Sequence, residues 1–151
     1  MPRTRNIENL KTEKKGILLL RSLLDGFMVP TKAEKKFLYD ILGLNYKKYN
    51  RSIDGVLLHV DQFDMIRSSK DFTLIEIKTT KSKKVTELPY DVFFGFTENE
   101  EDLFRKVDNY RLCIVHTVME KFVLITYESY LGLIKNKRVQ YQINFKARSV
   151  E

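Results

Sequence analysis

Apolar residues recur at three- and four-residue steps over residues 6–25, at Ile7, Leu10, Ile17, Leu20 and Leu24, which predicts a helix packing one stripe. Gly26 ends it. The same period returns over 31–42, where Phe37, Leu38, Ile41 and Leu42 form an apolar face and Gly43 a stop. Thr31, with Glu34 three residues on, has the form of a capping box. The pattern then turns extended. Residues 52–60 and 72–80 are two β-branched and leucine-rich runs, joined by a polar connection at 61–71. A third helix follows Thr97, with an acidic start at 98–102 and Leu103, Phe104 and Val107 on its buried face. Extended runs at 110–118 and 122–127 form a hairpin across 119–121, and a short amphipathic stretch at 129–134 precedes a last alternating strand at 139–145. Between these elements, 44–51 mixes aromatic and basic residues without either period and reads as a loop. Residues 92–94 are an extended piece between Pro89 and Gly95, and 146–151 reads as a frayed polar tail.

The run 72–80 carries two residues that do not suit a buried strand. Glu76 and Lys78 are two apart, so they point to the same face as Leu74, while Ile75 and Ile77 take the other. A carboxylate and an ammonium therefore sit side by side. Burying either unpaired is costly, so the pair requires each other, a further charge such as a metal, or an open cleft. Asp54, at the start of the preceding run, adds a second carboxylate and turns the pair into a candidate site.

The chain's 151 residues fit one ordinary domain, and an apolar fraction of 43% supports a folded core although 31% of residues are charged. A net charge of +7 favours an anionic partner, of which nucleic acid is the commonest. The single cysteine, Cys113, permits no internal disulfide and reads as a small core residue, which accords with a cytoplasmic, intracellular setting. Neither a signal peptide nor a membrane span is expected. His59 and His116 stand alone on apolar strands without a ligand partner at metal spacing. There is no phosphate-binding glycine loop, so no nucleotide or organic cofactor is expected. Asp61 and Asp64, past the far end of their strand, read as surface residues.

An aspartate, a gap, and then Glu-x-Lys inside an apolar strand resembles the signature of the PD-(D/E)xK, or restriction-endonuclease-like, nuclease superfamily. Here it reads Ile53-Asp54 and Glu76-Ile77-Lys78, with isoleucine where the superfamily's name has proline. The stretch 76–115, with Phe-Phe-Gly-Phe-Thr-Glu-Asn-Glu and Asp-Asn-Tyr-Arg-Leu-Cys-Ile-Val, also resembles the nuclease-like domain at the C-terminus of plant NO VEIN proteins and of bacterial restriction-associated proteins. The broader resemblance covers 31 to about 117. It implies an α/β fold with an α-β-β-β-α-β core, a central mixed sheet flanked by helices. Residues 1–30 would then be an accessory or dimerisation helix and 31–151 a single nuclease-like domain.

The resemblance further implies Mg²⁺- or Mn²⁺-dependent hydrolysis of DNA phosphodiester bonds. Asp54 and Glu76 would supply hard oxygen ligands, joined by the Ile77 carbonyl, while Lys78 would orient the nucleophile or stabilise the transition state by charge. Glu34 occupies the place of a helix glutamate that often reaches the metal in this superfamily, so capping and metal participation compete for it. Lys81, Lys83 and Lys84, just past the site strand, and Lys47, Lys48 and Arg51 in the loop before Asp54 are candidates for phosphate contact, with Tyr46 and Tyr49 for base stacking. A solvated loop is the competing description of the latter group. The basic face at Lys11, Lys14 and Lys15, with Glu13 among them, is expected to be solvated. A homodimer would place two sites across a duplex. The rival to all of this is a non-catalytic basic DNA-binding or assembly module, in which Asp54, Glu76 and Lys78 form a structural salt-bridge cluster.

Overall fold

The computed structural model describes residues 2–149, with side chains from residue 11 onward. Ile7 and Leu10 of the predicted stripe therefore lie outside the described side chains, and Val150 and Glu151 outside the described residues. Five strands form one open mixed sheet in the order β1 (Phe27–Met28), β2 (Gly55–Leu58), β3 (Phe72–Thr80), β4 (Tyr110–His116), β5 (Lys121–Ile125). All neighbours are antiparallel except β3 and β4, which are parallel. A parallel pair requires a crossover. Helix α4 (Glu98–Lys106) lies within that connection.

Side-chain alternation on β3 separates two cores. Leu74, with Leu112 and Ile114 of β4, faces α2 (Lys32–Leu42), α4 and α5 (Tyr127–Leu133), whose Leu38, Leu103 and Tyr130 join the same cluster. Ile75 and Ile77, with Cys113 and Val115, face α1 (Pro2–Leu23), packing on Leu20 and Ile17. The helix at the start of the chain thus covers the second face of the sheet. Gly16 permits this approach, because a Cβ there would stand 2.7 Å from the Thr79 methyl group.

Local signals act as expected at the helix starts. Thr31 accepts from Glu34 N and Glu34 returns a bond to Thr31 N, closing the capping box, and Gly43 ends α2 at a left-handed φ of 68°. Thr97 and Glu100 form the same device on α4. Two expectations need correction. Residues 44–51 are not simply a loop, since Asn45 caps a short helix α3 (Tyr46–Tyr49) whose Tyr49 is buried. Residues 139–145 form no strand and are exposed, because among the described residues no neighbouring strand receives them.

Candidate active site

Asp54, Glu76 and Lys78 come together where β2 begins. Gly55 pairs with Ile75, which places Asp54 opposite Glu76 as the antiparallel ladder opens. Asp54 N donates to Ile75 O at 2.9 Å, and Asp54 Oδ2 accepts from Ile77 N at 2.8 Å. The carboxylate therefore takes the place of a main-chain acceptor. A strand residue's N–H and C=O lie on one edge, so the Ile77 carbonyl also points towards β2, past the end of the paired residues.

On the adjoining face, Lys78 Nζ stands 3.7 Å from Glu76 Oε1 and 3.2 Å from Glu100 Oε1. It also lies 5.4 Å from the centre of the Phe96 ring, a cation–π distance. Glu76 is only 4% exposed, and its Oε2 is buried without a hydrogen-bond partner. Burial, followed by the charges of Asp54 and Glu100 and by side-chain hydrogen bonding with those two carboxylates, pushes the Glu76 carboxyl far above the usual carboxylate range, to about 12. Glu100 thus has two roles, completing the cap of α4 through Thr97 N at 2.8 Å and holding the ammonium of Lys78.

Two more side chains approach the cluster from other elements. Glu13 of α1, three residues before Gly16, is raised by partial burial and then by Asp54, with Lys78 opposing and Glu100 adding to the rise. Lys35 of α2 is lowered by burial, against the pull of Asp54 and Glu76. Sequence reasoning assigned neither to the site. Glu13 sits among lysines in a solvated-looking face, and Lys35 is next to the residue that was singled out. The only available signal for Glu13 was its helical position relative to Gly16, which has meaning once the helix is seated on β3.

The segment leading to Asp54 is held by four hydrogen bonds from three elements, α2, α4 and β4. Asn99 Nδ2 donates to Lys48 O at 3.0 Å, Tyr39 Oη to Tyr49 O at 2.6 Å, Lys35 Nζ to Asn50 O at 2.7 Å and Tyr110 Oη to Ser52 O at 2.7 Å. Such bonds fix a connection that has no ladder of its own. Tyr39 and Tyr110 are wholly buried, and burial raises both phenols, so they act as neutral donors. At Gly55 a Cβ would lie 2.4 Å from the Phe27 ring, so only glycine lets β1 close against the start of β2.

The other candidates are distributed as follows. Glu34 is committed to the cap of α2 through Oε1 at 2.8 Å from Thr31 N. Lys81, Lys83 and Lys84 are exposed in the segment leaving β3, and Lys47, Lys48 and Arg51 are exposed on and after α3. Tyr49 is unavailable for base stacking, being 2% exposed with its hydroxyl bonded to Asp102. Tyr46 packs against Tyr39 at 5.8 Å. His59 is exposed beside Thr73, and Asp61 and Asp64 are exposed as expected. His116 is buried, with Nδ1 accepting from the N–H groups of Val118 and Met119 and Nε2 facing Ser82 O at 3.0 Å, which places its proton on Nε2. Cys113 is buried in the core, and burial pushes its thiol up to about 12.

Among the described residues no three acidic, imidazole or thiol groups form a ready-made metal cage. A divalent ion of the Mg²⁺ type does not require one, since it retains waters and takes one or two carboxylates together with substrate phosphates. The unpartnered Glu76 Oε2 beside Asp54 fits that donor set. Among the described residues, no helix is long and apolar enough to cross a membrane. No protein-family model, no curated protein and no solved structure matches the chain. The fold is that of an α/β protein with a five-stranded mixed open sheet flanked by helices.

Proposed function

We propose that this protein is a metal-dependent nuclease of restriction-endonuclease-like fold that hydrolyses phosphodiester bonds of DNA. The observation that carries the reading is the buried Glu76 carboxyl, opposite Asp54 in the ladder, whose Oε1 stands 3.7 Å from the Lys78 ammonium and whose Oε2 has no hydrogen-bond partner within the protein. Stability alone is a weak reason for a carboxyl at that depth, because apolar replacements of buried ion pairs are often as stable. From α2 onward the helices and strands run α2, α3, β2, β3, α4, β4, which supports the same reading apart from one strand of an α-β-β-β-α-β core; β1 (Phe27–Met28) precedes α2 and pairs with β2 at the sheet edge.

Asp54 and Glu76 would hold the Mg²⁺ or Mn²⁺, with the Ile77 carbonyl and Glu13 on the same margin of the site. Bound there, the ion supplies an acidified water and screens phosphate charge. Lys78 offsets the negative charge that grows on the phosphate in the transition state. Glu100 keeps that ammonium in place, and Phe96 covers one side of it. The exposed lysines at 81, 83 and 84 extend the positive surface from the end of β3 and would meet the DNA backbone.

One observation favours a second reading. Lys78 is already flanked by Glu76 and Glu100, so the cluster is partly neutralised from within, as in a non-catalytic DNA-binding module on the same fold. Lys78→Ala separates the two. In a nuclease the variant still binds DNA in a gel-shift assay but cleaves it at least about 100-fold more slowly, the scale on which a lost transition-state donor acts. A binding module shows no cleavage in the wild type to lose.

A further inference from the structure

The sheet ends at β5, and among the described residues no strand pairs its free edge. That edge, Lys121–Ile125, has one charge and four apolar residues, a composition that ordinarily invites pairing with another strand. Beside it lies an open groove of about 380 Å³, walled by Pro89 and Tyr90, by Val123 and Leu124 of β5, and by Gly132 and Leu133 of α5. Elsewhere in the same chain, residues 139–145 read Val-Gln-Tyr-Gln-Ile-Asn-Phe, apolar at every second position and without charge. Val139, Tyr141, Ile143 and Phe145 are 74–93% exposed. This is the pattern of a strand with one face to bury and nothing to bury it on.

We infer that residues 139–145 add as a strand to the free β5 edge of a second copy of this chain, in a reciprocal two-fold exchange. Three observations favour a second copy. The chain's own edge is not occupied by this arm, which is fastened upstream by Lys137 to Glu101 of α4 at 2.8 Å and is exposed beyond that point. Charges match as well. The arm is flanked by Lys135, Arg138, Lys146 and Arg148, while exposed Glu87, Asp91, Glu120 and Glu128 lie within two residues in sequence of the groove wall or of β5, where the one exposed cation besides Lys135 is Lys121. The area is also sufficient. An aromatic side chain buries about 150–250 Å², so two arms with two aromatics and two aliphatics each, plus the surfaces receiving them, reach the roughly 1,200–2,000 Å² of a stable interface. Ile17 and Leu20 of α1 are spent on the sheet.

Exchange of identical arms gives an isologous dimer in which each copy donates and receives. It leaves Asp54, Glu76 and Lys78 outside the seam, so the inference does not depend on the proposed chemistry.

Sedimentation velocity tests it with the full chain. The wild type is expected at two chain masses. Tyr141→Asp/Ile143→Asp in the arm and Leu124→Lys on the receiving edge should each sediment as one chain mass, with circular dichroism and melting temperature confirming the fold. Leu133→Lys, on the opposite wall of the groove, replaces Leu124→Lys if that variant melts early. An equimolar mixture of arm and edge variants should regain dimer, because one intact arm still meets one intact edge. A monomeric wild type overturns the inference, including one whose 139–145 amides are protected from exchange by folding back on their own edge. A dimer that persists in the arm variant also overturns it, as do a dimer that persists in the edge variants, which would indicate arm-to-arm pairing, and a mixture that stays monomeric.

Discussion

Asp54 accepts a hydrogen bond from the main-chain N–H of Ile77 at 2.8 Å, so a side chain from the start of β2 completes the ladder of β3 one residue beyond Gly55. This bond ties the first carboxylate of the site to the strand that carries the second. Asp54→Asn preserves an oxygen acceptor and should fold with nearly wild-type stability while losing metal affinity. Asp54→Ala leaves the Ile77 N–H without its partner and should cost about 1–3 kcal/mol by urea denaturation. Equal stability of the two variants would show that water replaces the carboxylate there.

Glu76→Gln should stabilise the protein. The folded chain holds a proton on Glu76 to about 12, whereas in the unfolded chain the group ionises near 4.5. The folded state therefore binds more protons between those limits, and its stability falls as pH rises from the carboxylate range towards the alkaline limit. The neutral amide removes this dependence. The urea midpoint of the variant should exceed that of the wild type, with a gap that widens from pH 5 to pH 9. A gap that is constant or narrows with pH would mean that Glu76 is ionised in the metal-free protein.

Glu34 and Glu13 should part company. Glu34→Ala removes one side of the capping box and should lower stability by about 1 kcal/mol without slowing DNA cleavage. Glu13→Gln, on a largely exposed helix face, should leave the melting temperature unchanged and slow cleavage or raise the Mg²⁺ concentration needed. Cleavage rates measured across a Mg²⁺ titration check both, and the reverse assignment would return the helix glutamate to α2.

The contrast between these two glutamates shows what a linear pattern conveys. Alternation along 72–80 is a local property, and it placed Glu76 and Lys78 on one face with Leu74, as found. Capping is equally local, and Thr31, Glu34 and Thr97 were legible for that reason. Glu13 and Lys35 approach the cluster only through the seating of α1 and α2 on the sheet, which no spacing encodes. Glu100 was readable as a favourable charge at a helix start, and that remains true. Its bond to Lys78 arises because the crossover from β3 to β4 returns the start of α4 to the strand face. The opposite failure occurred at 139–145, where alternation predicted a strand that is not formed, because no period specifies whether a partner strand lies beside it. Tyr49 was misread for a related reason. Its surroundings in sequence are polar and basic, yet the Asn45 cap turns it inward, where it bonds Asp102 and carries the carbonyl held by Tyr39.

The central claim is that Asp54 and Glu76 hold a divalent ion that makes phosphodiester hydrolysis possible beside Lys78. The most direct measurement is the cleavage of supercoiled plasmid by the purified wild-type chain in Mg²⁺ or Mn²⁺, with and without EDTA and with Glu76→Gln alongside. The account predicts nicked or linear DNA that depends on the metal, disappears on chelation and is absent with Glu76→Gln. Cleavage that survives EDTA, or that Glu76→Gln performs at the wild-type rate, would contradict it, as would a wild-type chain that binds DNA and leaves it intact in both metals.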